Sequence, residues 1–134
     1  MDDIQLNKIS IIKNCIKRIH EEYFGHELEL ESNFTKQDSI ILNLQRACEA
    51  TLDLGMRIIR IKNLGVPQSS REVFALLEKA HYIPHDLSLS LQAMVGFRNI
   101  AVHDYQKVNL EIVRSIITSK LSDFDRFIEC SLQI

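Results

Sequence analysis

This 134-residue chain is short of several features, and each absence excludes a class of protein. Its apolar runs are broken by charge well before the roughly 18 residues that a bilayer-spanning helix needs. Four glycines and two prolines are scattered, so there is no linker, no glycine-rich phosphate loop and no G-x-S-x-G turn. Cys15, Cys48 and Cys130 stand far apart without a C-x-x-C pair, which excludes a zinc knuckle and a thioredoxin-like motif. Each lies among apolar neighbours and reads as a buried free thiol. An excess of positive charge is missing too. Sixteen basic residues against 18 acidic ones give a net charge of −2, so any contact with nucleic acid must be local. The acidic start Met1-Asp2-Asp3-Ile4 lacks the basic segment of a signal peptide, and the expectation is a cytoplasmic protein with no membrane association.

The composition, 46% hydrophobic and 25% charged, is that of one ordinary globular domain over residues 1–134. Its periodicity is helical throughout. Ile9, Ile12, Ile16, Ile19 and Tyr23 form one stripe of a first helix over about residues 3–24, which Gly25 stops. An acidic connection follows. Thr35 and Asp38 resemble a capping start for a long second helix whose inner face holds Ile40, Leu44, Ala47, Leu54, Ile58 and Ile61. Gly65 and Pro67 close it. Ser69-Ser70-Arg71-Glu72 is a capping box for a third helix bearing Val73, Phe74, Leu76 and Leu77. Pro84 opens a fourth, with Leu87, Leu91, Met94, Val95 and Phe97 inward. Asn109 caps a fifth, striped by Val113, Ile116, Ile117, Leu121, Phe124, Phe127 and Ile128. With no β-like alternation and only short connections, the expected fold is all-α, an up-and-down bundle of four or five helices.

Chemistry concentrates in Phe97-Arg98-Asn99-Ile100-Ala101-Val102-His103-Asp104-Tyr105, at the end of the fourth helix. A permanent cation near an imidazole, a group that titrates near neutral pH, suits work on a phosphodiester. RNA cleavage without a metal needs a base for the 2′-hydroxyl proton, a cation for the phosphorane and an acid for the leaving 5′-oxygen. His103 fits either proton-transfer role, and the planar fork of Arg98 fits the phosphate oxygens. On a regular helix Arg98 and His103 lie about 140° apart with about 7.5 Å of rise. Either the arginine reaches a shared substrate along its stem, or two chains assemble the site. A two-fold dimer would set a second His103 across the phosphate. Asn99, at i and i+4 with His103, can orient its imidazole. The spacing also fits a helix end at which Arg98 pairs with a carboxylate and His103 caps carbonyls.

Other clusters are weaker. His81 and His85 have the spacing of a metal pair, but Pro84 between them turns them apart, and no metal or cofactor site is expected. Glu49 and Asp53 share a face without a third ligand. Arg46, Arg57 and Arg60 read as solvated, with an Asp53–Arg57 pair at i, i+4.

The strings Asn43-Leu44-Gln45-Arg46-Ala47-Cys48-Glu49-Ala50, Gly65-Val66-Pro67 and Ser70-Arg71-Glu72-Val73-Phe74 resemble the HEPN superfamily. Residues 94–105, Met94 to Tyr105, resemble the signature of its HepT branch, and the likeness spans nearly the whole chain. The resemblance implies a bundle that dimerises through the motif helices around a composite cleft. It implies a metal-independent endoribonuclease, the toxin of a pair whose antitoxin is a minimal nucleotidyltransferase. Arg98 and His103 would then be catalytic, Asn99 supporting, and Tyr105 the residue the partner adenylylates. An adenylate there would compete for Arg98 and repel the RNA phosphate. The alternative is a non-catalytic helical subunit that docks a nucleotidyltransferase and presents nucleotide or substrate to it.

Overall fold

Every regular element in the computed structural model, which describes residues 1–134, is helical. Six α-helices run α1 (Asp3–Tyr23), α2 (Phe34–Lys62), α3 (Ser70–Lys79), α4 (His85–His103), α5 (Leu110–Ser119) and α6 (Leu121–Leu132). Single 3₁₀ turns at Glu27–Glu29 and Tyr105–Lys107 sit between α1 and α2 and between α4 and α5. No helix is long and apolar enough to cross a membrane.

The longest helices, α1 and α2, pair antiparallel. Three cross-links fix their register: Arg57 on Asp2 at 2.7 Å, Lys8 on Asp53 at 3.1 Å and Lys36 on Glu22 at 3.4 Å. Asp2 serves twice, because the same carboxylate caps α1 by accepting from the Gln5 N–H at 2.8 Å. That backbone bond, then Arg57, hold its carboxyl below the usual range. The expected Asp53–Arg57 pair does not form, since each side chain finds its partner on α1.

The buried hydrophobic residues make one cluster to which all six helices contribute. At its centre Phe74 of α3 meets Phe127 of α6 edge to face, centroids 5.7 Å apart. Helix α4 lies antiparallel to α3, tied by Ser88 Oγ donating to the Phe74 carbonyl at 3.2 Å and by His85 beside Glu78 at 2.8 Å. Its start is fastened to α6, where Arg126 meets Asp86 at 2.9 Å and Ser90 donates to Asp123 at 2.5 Å. The helix that carries the motif is therefore fixed along its first two turns.

Several expectations shift in detail. The cap of α2 is Asn33, accepting from the Lys36 N–H at 3.1 Å, rather than Thr35, which lies inside the helix. Asp38 is thereby released from any capping role. Ile61 is exposed, not inward, because the last turn of α2 outruns the core. That helix ends at left-handed Asn63, a residue that tolerates φ of 53°, before Gly65 at φ 116°. The single fifth helix is broken at Lys120, whose N–H still bonds the Ile116 carbonyl while α6 starts afresh, so there are six helices. Its apolar stripe continues across the break, which is why periodicity alone does not reveal it. The caps at Ser69 and Asn109 form, but at Ser69 only half of the expected capping box: its hydroxyl accepts from the Glu72 N–H at 3.3 Å, and the Glu72 side chain does not reach back.

Gly55 sets how closely α2 and α3 approach. A Cβ there would stand 2.8 Å from Val73 Cγ1 and 3.4 Å from Leu77 Cδ1. Alanine normally stabilises a helix interior by up to about 1 kcal/mol over glycine. Here the clash dominates, and Gly55→Ala is expected to lower stability by about 1–3 kcal/mol, read as an earlier urea midpoint with unchanged slope. An unchanged or later midpoint would show that the two helices are free to separate.

Candidate functional site

Helix α4 presents its motif residues in different directions. At about 100° per residue, Leu87, Leu91, Met94, Arg98 and Ala101 share one side, and Leu89, Ala93, Gly96, Ile100 and His103 share the other. Burial follows this division: the apolar members of the first set are buried, and Leu89, Ile100 and His103 are exposed. Arg98 sits on the inner side and is half-buried. Its Nη2 donates to Ser70 Oγ, the first residue of α3, over a long 3.4 Å. Its positive charge is felt by the Cys48 thiol of α2. Burial pushes that thiol up to about 12, against the pull of the guanidinium. Arg98 thus takes a hydroxyl, not a carboxylate, and its charge is left uncancelled.

His103 is the last residue of α4, exposed, and faces away from Arg98 as the helix geometry requires. Asn99 is exposed beside it. The expected bond from Asn99 to His103 does not form. At i, i+4 the short amide lies along the helix surface and both side chains point to solvent.

Tyr105 opens the 3₁₀ turn after α4 and folds back over the start of α2. Its hydroxyl donates to Asp38 Oδ1 at 2.5 Å. Tyr105 as a whole is 41% exposed, so it sits at the surface rather than in the core. Burial, then the bond to Asp38 and that carboxylate's charge, push the phenol up to about 12. Sequence reading missed this use of Asp38. The two residues are 67 positions apart, and no local signal connects them.

An apolar cleft of about 580 Å³ opens between α4 and α5, lined among others by Leu89, Ala93, Phe97, Ile100 and Ile112. Leu89, Ile100 and Ile112 are each 43–52% exposed. They adjoin the side of α4 that carries His103. Elsewhere, His81 has a left-handed backbone in the turn between α3 and α4, and His85 is engaged by Glu78. Glu49 neighbours Gln45, and Asp53 takes Lys8, so those carboxylates do not form a pair.

The Asp38–Tyr105 contact has a direct titration signature. In Asp38→Asn the phenol loses its anionic neighbour but keeps its burial, so its pKa is expected to fall part of the way from about 12 toward the usual value of about 10. Ultraviolet absorbance differenced against Tyr105→Phe isolates this residue from Tyr23 and Tyr82. An unchanged midpoint would mean that Asp38 does not hold the hydroxyl in solution.

Comparison with known proteins identifies relatives of this chain. The family model described as ribonuclease HepT-like matches residues 12–131. The chain is 52% identical over 129 residues to the mRNA nuclease HepT of Shewanella oneidensis, covering 96% of each. Among solved structures, it superposes at TM-score 0.94 and 49% identity, over all of both chains, on a tri-AMPylated HEPN toxin of Shewanella oneidensis in complex with MNT antitoxin. A toxin–antitoxin structure with AMP-PNP gives TM-score 0.95 at 49% identity, covering 99% of this chain and 100% of that one. Shared sequence over almost the whole length and a shared helical fold place this chain in the HepT-like ribonuclease family.

Proposed function

We propose that this protein is a metal-independent endoribonuclease toxin whose working site is a cleft between two protomers, with Arg98 and His103 as its catalytic groups. The observation that carries this reading is the opposed placement of Arg98, half-buried with its charge uncancelled, and His103, exposed at the helix end. A single chain offers a phosphate one of these groups at a time. Two chains meeting along the exposed side of α4 bring two imidazoles together, and Arg98 reaches the shared phosphate along its long stem from the edge of that cleft. The exposed residues Leu89, Ile100 and Ile112 beside this face supply the apolar area for such a meeting.

In that cleft one imidazole takes the 2′-hydroxyl proton as the 2′-oxygen bonds to the adjacent phosphorus. The guanidinium carries the extra charge of the phosphorane, and the other imidazole gives its proton to the departing 5′-oxygen. Every atom of this step comes from the RNA and the three side chains, so no cofactor is required. Asn99 supports the substrate side of the cleft. RNA is favoured over DNA because the attacking group is the 2′-hydroxyl.

Control falls to Tyr105. The relative solved with MNT antitoxin is AMPylated, and a nucleotidyltransferase partner of that kind would act on the hydroxyl of the exposed Tyr105. Its adenylate would replace the hydrogen now donated to Asp38 with a phosphodiester. An anion would then stand against that carboxylate, two residues from His103. RNA phosphate would be repelled from the same place. The competing reading, a binding subunit that presents substrate to the nucleotidyltransferase, draws on the net charge of −2.

Cleavage of mixed RNA in EDTA by the unmodified protein separates the two. The wild type is expected to cut RNA and spare matched DNA, while Arg98→Ala and His103→Ala each lose about 10²-fold or more in rate. Intact RNA with folded wild-type protein would give the lead to the binding subunit.

A further inference from the structure

The arginine lying across the outer face of α4 is Arg71. A Cβ built on Gly96 would stand 2.7 Å from Arg71 Nη2 and 3.9 Å from its Cζ, so the guanidinium occupies the space that a side chain at 96 would fill. Gly96 shares its side of the helix with His103, about 20° away in azimuth and about 10.5 Å along the axis. Arg98 lies about 160° from Gly96. Arg71 is exposed, whereas Arg57, Arg114 and Arg126 are each bound to carboxylates outside their own helices. Its neighbour in sequence, Ser70, is the residue that Arg98 holds. The start of α3 thus sends one guanidinium, Arg71, over Gly96 of α4 and receives another, Arg98, at Ser70. Glu72, the carboxylate next along the chain, is paired with neither. A chain with a net charge of −2 thus gathers unneutralised positive charge at one place, around the motif helix.

We propose that Arg71 is a phosphate-binding residue that positions the RNA strand on the His103 face of α4. It would grip a backbone phosphate next to the one being cut, and Gly96 is glycine so that one end of the fork can come close against the helix. The axial separation from His103 favours a neighbouring phosphate over the scissile one. A guanidinium pre-set by packing loses little freedom when it takes two phosphate oxygens. This assignment rests on the ribonuclease reading and deepens it, naming the sugar–phosphate backbone as what the outer face recognises.

The test is fluorescence anisotropy of a labelled single-stranded RNA on the His103→Ala protein, with and without Arg71→Ala, over a salt series. Arg71→Ala is expected to weaken binding about tenfold. It should also flatten the slope of log K against log salt by about 0.7, the loss of one contact to a single strand. Arg71→Lys should restore the slope but only part of the affinity, because an ammonium keeps the charge without the fork. Gly96→Ala should weaken binding by evicting the guanidinium, and should add nothing when combined with Arg71→Ala. Thermal melts confirm that each variant is folded. Equal affinity and slope with and without Arg71, while the wild type still cuts RNA, would overturn the assignment and leave the ribonuclease reading standing. A fall to monomer with the slope unchanged would overturn it too, making Arg71 an interface residue. Absence of both binding and wild-type cleavage would overturn both.

Discussion

An α-helix advances about 100° per residue, and five residues carry a side chain most of the way to the opposite face. In α4 that rotation sends Arg98 in toward α2 and α3 and leaves His103 on the surface. The site's arrangement depends on this separation. It keeps the guanidinium half-buried, with a hydroxyl for a partner and its charge uncancelled. It keeps the imidazole beside an apolar strip that one chain leaves uncovered.

The rest of the fold holds that helix still. The α1–α2 hairpin, locked by three ion pairs along its length, is the platform on which α4 lies. Gly55 brings α3 close to α2, and the start of α3 meets Arg98 through Ser70. The two ends of α4 are secured differently. Asp86 and Ser90 fasten the first turns to α6, whereas beyond the last turn the chain is held by the Tyr105–Asp38 bond. That bond links exposed groups, and chemistry at the tyrosine oxygen would break it. A modification at this hydroxyl would reach the helix end that bears His103 and leave the core intact.

Much of this was legible in the sequence, for a physical reason. Apolar stripes at helical spacing report which face is buried, and those of α1, α3 and α4 were read almost residue for residue. Caps that act three residues along the chain, at Ser69 and Asn109, were equally visible. What escaped depends on partners far apart in sequence. Arg57 chose Asp2 over Asp53 because α1 lies alongside, and Asp38 found Tyr105 across the bundle. The break at Lys120 escaped because the stripe runs through it. Arg98 and His103 could be placed on their faces from spacing alone. Arg71 could not, since its position over Gly96 exists only once α3 has folded against α4.

The most direct measurement is RNA cleavage by a folded monomer. Leu89→Asp with Ile112→Asp puts two charges into the exposed apolar strip, with position 89 about 21 Å along the helix from His103, leaving Arg98, His103 and Tyr105 untouched. Light scattering gives the oligomeric state, circular dichroism the fold, and labelled RNA the activity. The expected result is a helical monomer that no longer cuts RNA. A monomer that cuts at the wild-type rate would show that one chain completes the site by itself, and the two-chain cleft would have to be abandoned.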